Sequence, residues 1–372
     1  KKENPDRVVG VGGCWSQSLK DEVFERFPFV DVAFGPGQIP KLAEFLLSDS
    51  LTAQVGYFDF ESVSGHLPMR RERRFQAWMQ ISQGCNCVCA YCIVPSTRGR
   101  EVSRAAGELV AEAERLAADG VREITLLGQN VNSYGRDLEK KVTFAELLGM
   151  LDAIEGIDRI RYTSPHPKDV RVDVIRAHAE LPSVCEHIHL PLQSGSSAIL
   201  KRMRRTYNRQ RYLDRVALIR EHVPDCAITT DIIVGFPGET EDDFRETLEV
   251  VEDVRYDSAF TFVFSPRRGT EAAEFGEQIP HAVKRERMER LVEAVQRIAT
   301  ERAQRFIGRE LDVLVEGPSR TDPDKLRGRT RHNKTVNFTG VAQPGDYARV
   351  EITSATSTTL AGEESLLARA TS

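Results

Sequence analysis

The residues most suited to chemistry are four cysteines that fall within eight positions of the segment GCNCVCAYC. Three of them, Cys85, Cys89 and Cys92, have the spacing C-x3-C-x2-C. Because iron–sulfur centres need soft thiolate ligands, three thiolates on one short loop can bind three corners of such a cluster. A set of three leaves one iron free to bind a small molecule. Cys87 lies inside the first spacing, and we expect its side chain to point away from the other three.

A structural zinc site is the alternative interpretation of the same loop. Zinc in such sites normally has four ligands, which usually come as two separated pairs. The chain has seven cysteines, and no second pair follows the loop. Cys185 and Cys226 are single and lie in or beside strand-like segments, where a buried cysteine acts as a small hydrophobic residue. The spacing therefore favours an iron–sulfur cluster and leaves zinc as the open alternative.

The elements that must position this loop begin near residue 75, where strand-like and helical segments start to alternate. The strand-like segments are 77–82, 121–127, 159–163, 187–190, 227–234 and 259–264. The helical segments are 105–118, 143–154, 169–180, 196–203, 209–222 and 240–251, followed by a long helix over 281–306. This alternation predicts parallel βαβ units with right-handed crossovers. Six units are too few for a closed eightfold barrel, so we expect an α/β fold with a partial (βα)6 barrel over 75–304.

Polar, turn-rich loops follow the predicted strands in the same way as the cysteine loop follows the first. They are the segments 128–135 (GQNVNSYG), 164–167 (SPHP), 190–196 (LPLQSGS), 234–240 (VGFPGET) and 265–270 (SPRRGT). In barrels of parallel strands the chemistry gathers at the carboxyl ends of the strands. The sequence therefore predicts one functional site at this rim.

Two further regions flank the predicted barrel. Residues 1–50 predict a partial α/β N-terminal domain, with an amphipathic helix near 39–47, and residues 51–74 predict a linker that ends in RRERR. Because the chain opens without Met directly into an apparent strand, we expect that an upstream segment is missing. Short alternating strands over 305–372 predict a small C-terminal β-barrel of about five strands.

A basic segment in this C-terminal region, KLRGRTRHNK, predicts contact with nucleic acid. It places Lys325, Arg327, Arg329 and Arg331 at alternate positions, followed by Lys334. In a strand the first four share one face, which suits a phosphate backbone; a merely solvated face is the alternative. The net charge of −5 means that a nucleic acid must be met by such local patches. No apolar run is long enough to cross a bilayer, so we expect a cytoplasmic protein without a membrane partner.

Together these segments resemble radical S-adenosylmethionine (SAM) enzymes, and specifically the tRNA methylthiotransferase family. The resemblance lies in GCNCVCAYCIVPSTRGREVSR, ITLLGQNVNSYG, YTSPHP, HIHLPLQSGSSAILKRMRRTYNR and TTDIIVGFPGETEDDF. The C-terminal region is similar to the RNA-binding TRAM domain, and GGCWSQ to the family's N-terminal domain. The resemblance implies an enzyme that adds a methylthio group to C2 of N6-isopentenyladenosine beside the anticodon of tRNA, through a 5′-deoxyadenosyl radical.

The resemblance also implies roles for individual residues. Cys85, Cys89 and Cys92 would bind a [4Fe–4S] cluster whose open iron chelates SAM. Tyr91 and the turn from Gly235 to Glu239 would contact the adenine of SAM. The other SAM contacts would be Gly128, Gln129, Ser164, Gln193 and Arg205.

A second, auxiliary [4Fe–4S] cluster would supply sulfur in this family, bound by three N-terminal cysteines. Only Cys14 matches them, so we expect the auxiliary cluster not to be completed in this chain. An electron donor such as flavodoxin is a further expected partner. Two other functions stay open at this point: methylthiolation of an aspartate in a ribosomal protein, and non-catalytic RNA binding with a structural metal site.

Overall fold

The N-terminal region forms a small parallel sheet. The computed structural model describes residues 1–41, 54–58 and 71–365. The sheet has the order β1-β2-β3, and two short helices follow β1. The elements are β1 (Gly10–Gly12), α1 (Cys14–Leu19), α2 (Glu22–Arg26), β2 (Val32–Phe34) and β3 (Val55–Tyr57).

Two predictions for this region need correction. Strand β3 lies inside the predicted linker 51–74 but pairs in parallel with β2, so the linker prediction is wrong at that point. A 3-10 turn over Pro36–Lys41 occupies the start of the helix predicted near 39–47. The rest of that helix, and the linker over 51–53 and 59–70, lie outside the described residues.

The central region alternates strands and helices as the sequence predicts. Its first half contains β4 (Gln76–Gln80), β5 (Ser82–Gln83), α3 (Val94–Arg98), β6 (Val102–Ser103), α4 (Ala106–Ala118), β7 (Glu123–Leu127), α5 (Phe144–Asp152), β8 (Arg159–Tyr162) and α6 (Val172–Glu180). Its second half contains β9 (His187–His189), α7 (Ser197–Arg202), α8 (Arg209–His222), β10 (Ala227–Val234), α9 (Glu241–Val254), β11 (Ser258–Val263) and α10 (His281–Ala303).

The strands of this region form the predicted partial barrel. One parallel sheet has the order β4-β7-β8 and the other β9-β10-β11. A parallel bridge between Ile160 and Val184 links the two sheets. The result is an open row of six parallel strands in chain order, with β4 at one edge and β11 at the other.

Local sequence signals start several helices of the barrel. Thr143 and Thr240 each form a capping box with an acid three residues later, so that side chains satisfy backbone groups that the helix leaves free. Asn208 accepts a hydrogen bond from the backbone N–H of Arg211 and caps α8. Apolar side chains between the strands and these helices form two large buried clusters, one for each half of the barrel.

The C-terminal region is a closed five-stranded barrel, as predicted. Its order is β12-β13-β14-β16-β15. The strands are β12 (Glu310–Pro318), β13 (Leu326–Thr330), β14 (Thr335–Thr339), β15 (Tyr347–Ala355) and β16 (Thr359–Glu364). Val313, Val336, Phe338 and Val350 are fully buried in its core. Within the described part of the chain, no helix has both the length and the apolar character that a membrane span requires.

Candidate functional site

The cysteine loop leaves strand β5 at a backbone position that only glycine fits. Gly84 has φ 81°, and a Cβ there would lie 2.1 Å from the carbonyl oxygen of Arg100. The Gly84 N–H donates to the side-chain oxygen of Gln129 at 2.6 Å, and the Cys85 N–H donates to the Gly99 carbonyl at 3.2 Å. The start of the loop is therefore fixed against the loop that follows β7.

The three predicted ligand thiols are all partly buried at this rim. The Cys92 N–H donates to the Cys89 carbonyl at 3.0 Å, and Nη1 of Arg205 lies 3.3 Å from the sulfur of Cys89. Burial alone would lower the pKa of Arg205, but Tyr207, Tyr91 and Cys89 raise this pKa well above its ordinary value. The guanidinium therefore stays charged beside a sulfur that it can stabilise as a thiolate.

Cys87 does not point away from the other cysteines, so that prediction is wrong. Its thiol forms a hydrogen bond with the Cys85 thiol, and the Cys87 N–H also donates to the sulfur of Cys85 at 3.4 Å. Nδ2 of Asn130 lies 3.8 Å from the Cys87 sulfur. A hydrogen bond with the Cys85 thiol, opposed by burial and assisted by Lys168 and Arg205, lowers the pKa of Cys87 to about 6.

The donor set of this loop fits an iron–sulfur cluster. Among residues 1–41, 54–58 and 71–365, no three His, Cys, Asp or Glu side chains stand close enough to bind a single metal ion. The ligands of a cluster attach to different irons and stand farther apart than those of one zinc ion. In the described chain, the buried atoms Oγ of Ser82 and Oδ1 of Asn130 have no hydrogen-bond partner. Since buried polar atoms are normally paired, these two fit a bound polar group beside the loop.

Two predicted SAM contacts have strained backbones beyond neighbouring strand ends. Ser164, after β8, has φ 57°, and Gln193, after β9, has φ 67°. Such left-handed residues cost roughly 1–3 kcal/mol each and cluster at functional sites. Gly128 follows β7, and a Cβ there would lie 2.7 Å from Oγ of Ser82. The structure thus gathers these predicted residues on the rim that carries the cysteine loop.

The turn from Gly235 to Glu239 packs against α10. A Cβ at Gly235 would lie 2.4 Å from Cγ of Lys284, so the glycine makes room for a side chain of α10. Oε1 of Glu239 accepts from the Gly235 N–H at 2.9 Å and from Nη1 of Arg287 at 2.7 Å. Glu239 is buried, and these two hydrogen bonds of its carboxylate fix the turn to α10. Tyr91 lies edge-on to Phe236 of this turn, with ring centroids 6.4 Å apart.

Cys14 begins helix α1 and is partly buried. Helix α1 contacts α3, the helix that directly follows Cys92. Nη1 of Arg268, in the loop after β11, donates to Glu22 of α2 at 2.7 Å. The N-terminal region therefore lies against the rim that bears the cysteine loop.

The basic side chains that the sequence predicts as RNA contacts have partners within the chain. Arg327 and Arg329 form ion pairs with Glu316 of the neighbouring strand β12, at 3.3 and 3.2 Å. Nε and Nη2 of Arg331 bind both carboxylate oxygens of Glu186 at 2.7 and 2.9 Å. The remaining two residues are also paired: Lys334 is buried and donates to the Asp257 carbonyl at 2.7 Å, and Lys325 lies 3.2 Å from Asp322.

The turn between β13 and β14 closes one end of the partial barrel. Nη1 of Arg159 donates to the Arg329 carbonyl at 2.7 Å, and Nη2 of Arg161 donates to the Thr330 carbonyl at 2.8 Å. Above this turn lies a cavity of about 1020 Å³ that side chains from all six barrel strands line. Ser164 also lines it, so the cavity extends to the rim with the predicted SAM contacts.

The motifs of the sequence did not identify the inward-facing residues of this cavity. They include His189, Asp231 and the aromatic residues Trp78, Phe260 and Phe262. The signal that could have found them is the period of two within each strand: on β4, buried Ala77 and Met79 alternate with exposed Trp78.

The fold and the site define a radical SAM enzyme with an RNA-binding module. The Radical SAM superfamily model matches residues 79–251, and the TRAM domain model matches residues 304–363. The radical SAM methyltransferase TsrM from Kitasatospora setae has a similar fold, with a TM-score of 0.54 at 16% identity over 72% of this chain and 57% of that one. Radical SAM enzymes use SAM and a [4Fe–4S] cluster, and the matched region contains the three cysteines.

Relatives over nearly the whole chain identify the particular family. The tRNA-2-methylthio-N(6)-dimethylallyladenosine synthase of Thermoanaerobacter sp. (strain X514) is 47% identical over 98% of this chain and 78% of its own length. The enzyme of the same name from Clostridium botulinum (strain Langeland) is 47% identical over 98% of this chain and 82% of its own length. The chain belongs to this family of radical SAM methylthiotransferases, as its motifs predicted.

Proposed function

We propose that this chain adds a methylthio group to C2 of N6-dimethylallyladenosine in tRNA. The observation that carries the proposal is the loop of Cys85, Cys89 and Cys92 at the carboxyl ends of six parallel strands, in a chain of this family. The TRAM-type barrel is the expected contact to the RNA. Since tRNA is the substrate, the activity belongs in the cytoplasm.

The residues of the chain have distinct parts in this proposal. When bound, the cluster supplies the electron that cleaves the sulfonium of SAM. Cys85, Cys89 and Cys92 would bind it, and Arg205 keeps its own positive charge beside the Cys89 sulfur. Gln129 fixes the start of the loop through the Gly84 N–H.

The predicted SAM contacts fall into two groups. Ser164, Gln193 and Gly128 offer polar groups and close backbone approach at the rim, and Tyr91 offers an aromatic surface. Gly235 and Glu239 act through the turn that they hold against α10.

We further propose that Cys14 is one ligand of an auxiliary cluster that supplies sulfur. The contact of α1 with α3 supports this, because it places the start of α1 next to the segment that follows Cys92. A small reducing protein such as a flavodoxin would deliver the electron.

The test is anaerobic reconstitution, followed by reaction with an anticodon stem-loop that carries N6-dimethylallyladenosine. We expect SAM cleavage and, from protein that carries both clusters, an RNA in which one hydrogen is replaced by a methylthio group. About four irons per chain would indicate one cluster and about eight would indicate two. Methylthiolation of a ribosomal-protein aspartate with no change in the RNA would overturn the proposal.

A further inference from the structure

Three exposed aromatic side chains face the barrel cavity from its two edge strands. Trp78 of β4 is 57% exposed, and Phe260 and Phe262 of β11 are 61% and 49% exposed. All three line the cavity. Large aromatic rings are normally buried, so such exposure inside a concave site indicates a surface that a ligand covers. These residues flank the opening of the partial barrel from opposite sides.

The strand register brings a polar group beside these rings. Asp231 pairs with Phe260, so both side chains point into the cavity. Oδ2 of Asp231 lies 3.3 Å from Nε2 of His189, whose ring is edge-on to Phe260 at 6.1 Å. Nδ1 of His189 lies 3.0 Å from Oγ1 of Thr229, which fixes the ring. A carboxylate that is still about one quarter exposed is thus held next to an aromatic wall.

These features fit one chemical class of ligand. A flat base with an apolar substituent on its exocyclic nitrogen has a π face, a hydrocarbon group and one remaining N–H donor. Stacking on aromatic side chains binds the flat face that every base has, and apolar contact recognises the hydrocarbon group. A carboxylate accepts the N–H. Because a base must leave its stack to reach an enclosed site, the cavity would take an extruded nucleotide.

We propose that Trp78, Phe260 and Phe262 are the specificity determinants for the N6-dimethylallyl group of the substrate base, and that Asp231 accepts a hydrogen bond from its N6–H. This inference rests on the proposed function and adds which residues distinguish the modified base from plain adenine. Ser164 lines the same cavity, which places the reacting rim within reach of the bound base. His189 acts as a positioning residue for Asp231.

The test measures the affinity of the reconstituted protein for two anticodon stem-loops that differ only in the dimethylallyl group. We expect wild type to bind the modified loop roughly tenfold or more tightly, since five carbons leave water. The double variant F260A/F262A should reduce that preference to near one, whereas Phe260→Leu should keep most of it. Met150→Ala, an exposed apolar residue on the helix α5, is the matched control and should keep the full preference.

A second variant separates the polar contact from the apolar one. Asp231→Asn should weaken the binding of both stem-loops by the same factor, roughly three- to tenfold, because both bases carry an N6–H. Cluster absorbance and RNA-independent SAM cleavage show whether each variant is folded and loaded.

The outcomes distinguish this inference from the proposed function. If wild type makes the methylthio product but F260A/F262A keeps the full preference, the assignment of these aromatics is wrong while the function stands. The same holds if wild type binds both loops equally. If wild type that carries both clusters makes no methylthio product from the modified loop, the proposed function itself fails.

Discussion

The cysteine loop and the basic turn between β13 and β14 make an informative comparison. Both stood out in the sequence by the spacing of one residue type. The loop lies at the functional rim, whereas the turn lies against the barrel with Arg331 bound to Glu186. The two regions differ because residues on one short loop are close together whatever the rest of the chain does. Whether a row of basic residues is unpaired, by contrast, depends on whether the fold brings acidic residues from distant parts of the chain next to it.

The largest effect that tests this comparison is expected at the loop. Cys89→Ala should abolish SAM cleavage, because a cluster with two protein ligands is not stably bound. The measurement is 5′-deoxyadenosine formation by the reduced, anaerobic protein together with absorbance near 400 nm (approximate, a thiolate-to-iron band). Cys185→Ala, a fully buried cysteine elsewhere, is the control for loss of a thiol. Cleavage at the parent rate in Cys89→Ala would refute the ligand assignment.

The next effect concerns the basic turn. Arg331→Ala should destabilise the protein by roughly 2 kcal/mol, because it removes charge-assisted hydrogen bonds to Glu186 and to the Val184 carbonyl. Denaturant unfolding measures this, and a double-mutant cycle with Glu186→Gln isolates the pair. The salt dependence of RNA binding should stay unchanged. If the variant instead keeps its stability, and the slope of log RNA affinity against log salt concentration falls by about one, Arg331 contacts phosphate as first predicted.

Acid should release the same turn. Burial alone would raise the pKa values of Glu186, Asp225 and Glu316, but their arginine and histidine partners lower all three. Below about pH 4.5 the unfolded state therefore binds more protons than the folded state, and stability falls as pH falls. Limited proteolysis between pH 3 and 7 (approximate limits, chosen around the carboxyl range) should show cleavage near the turn only at the acid end. Asp225→Asn should flatten this dependence, and an unchanged profile would contradict the assignment.

The smallest effect is expected where an arginine of the same barrel is paired but exposed. Nη1 of Arg349 lies 3.0 Å from Glu310, and the Arg349 side chain is 65% exposed. Arg349→Ala should leave the thermal midpoint unchanged within error, because exposed pairs contribute little. A loss as large as that of Arg331→Ala would mean that pairing, rather than burial against the barrel, decides the stability of these contacts.

Several features could be predicted because they depend on short stretches of chain. The period-two and helical patterns placed the six barrel strands and their helices within a few residues of their observed bounds. Capping residues such as Thr143 and Thr240 mark helix starts directly. The motifs around Cys85 identified the family, and the relatives confirm it.

Other features depended on contacts between distant residues. Oε1 of Glu239 accepts a hydrogen bond from Arg287 of α10, 48 positions later. Arg331 meets a carboxylate 145 positions away. The aromatic wall of the cavity forms only when the first and last strands of the barrel face each other across its opening.

The sequence by itself determined the element order, the candidate cluster ligands and the family, since backbone periodicity and neighbouring residues along the chain carry that information. Only the tertiary structure decided which charges are neutralised, which glycines make room for side chains, and which aromatic residues line the cavity. The physical reason is that hydrogen bonds and ion pairs act over a few ångströms in space, and the fold sets which distant residues come that close.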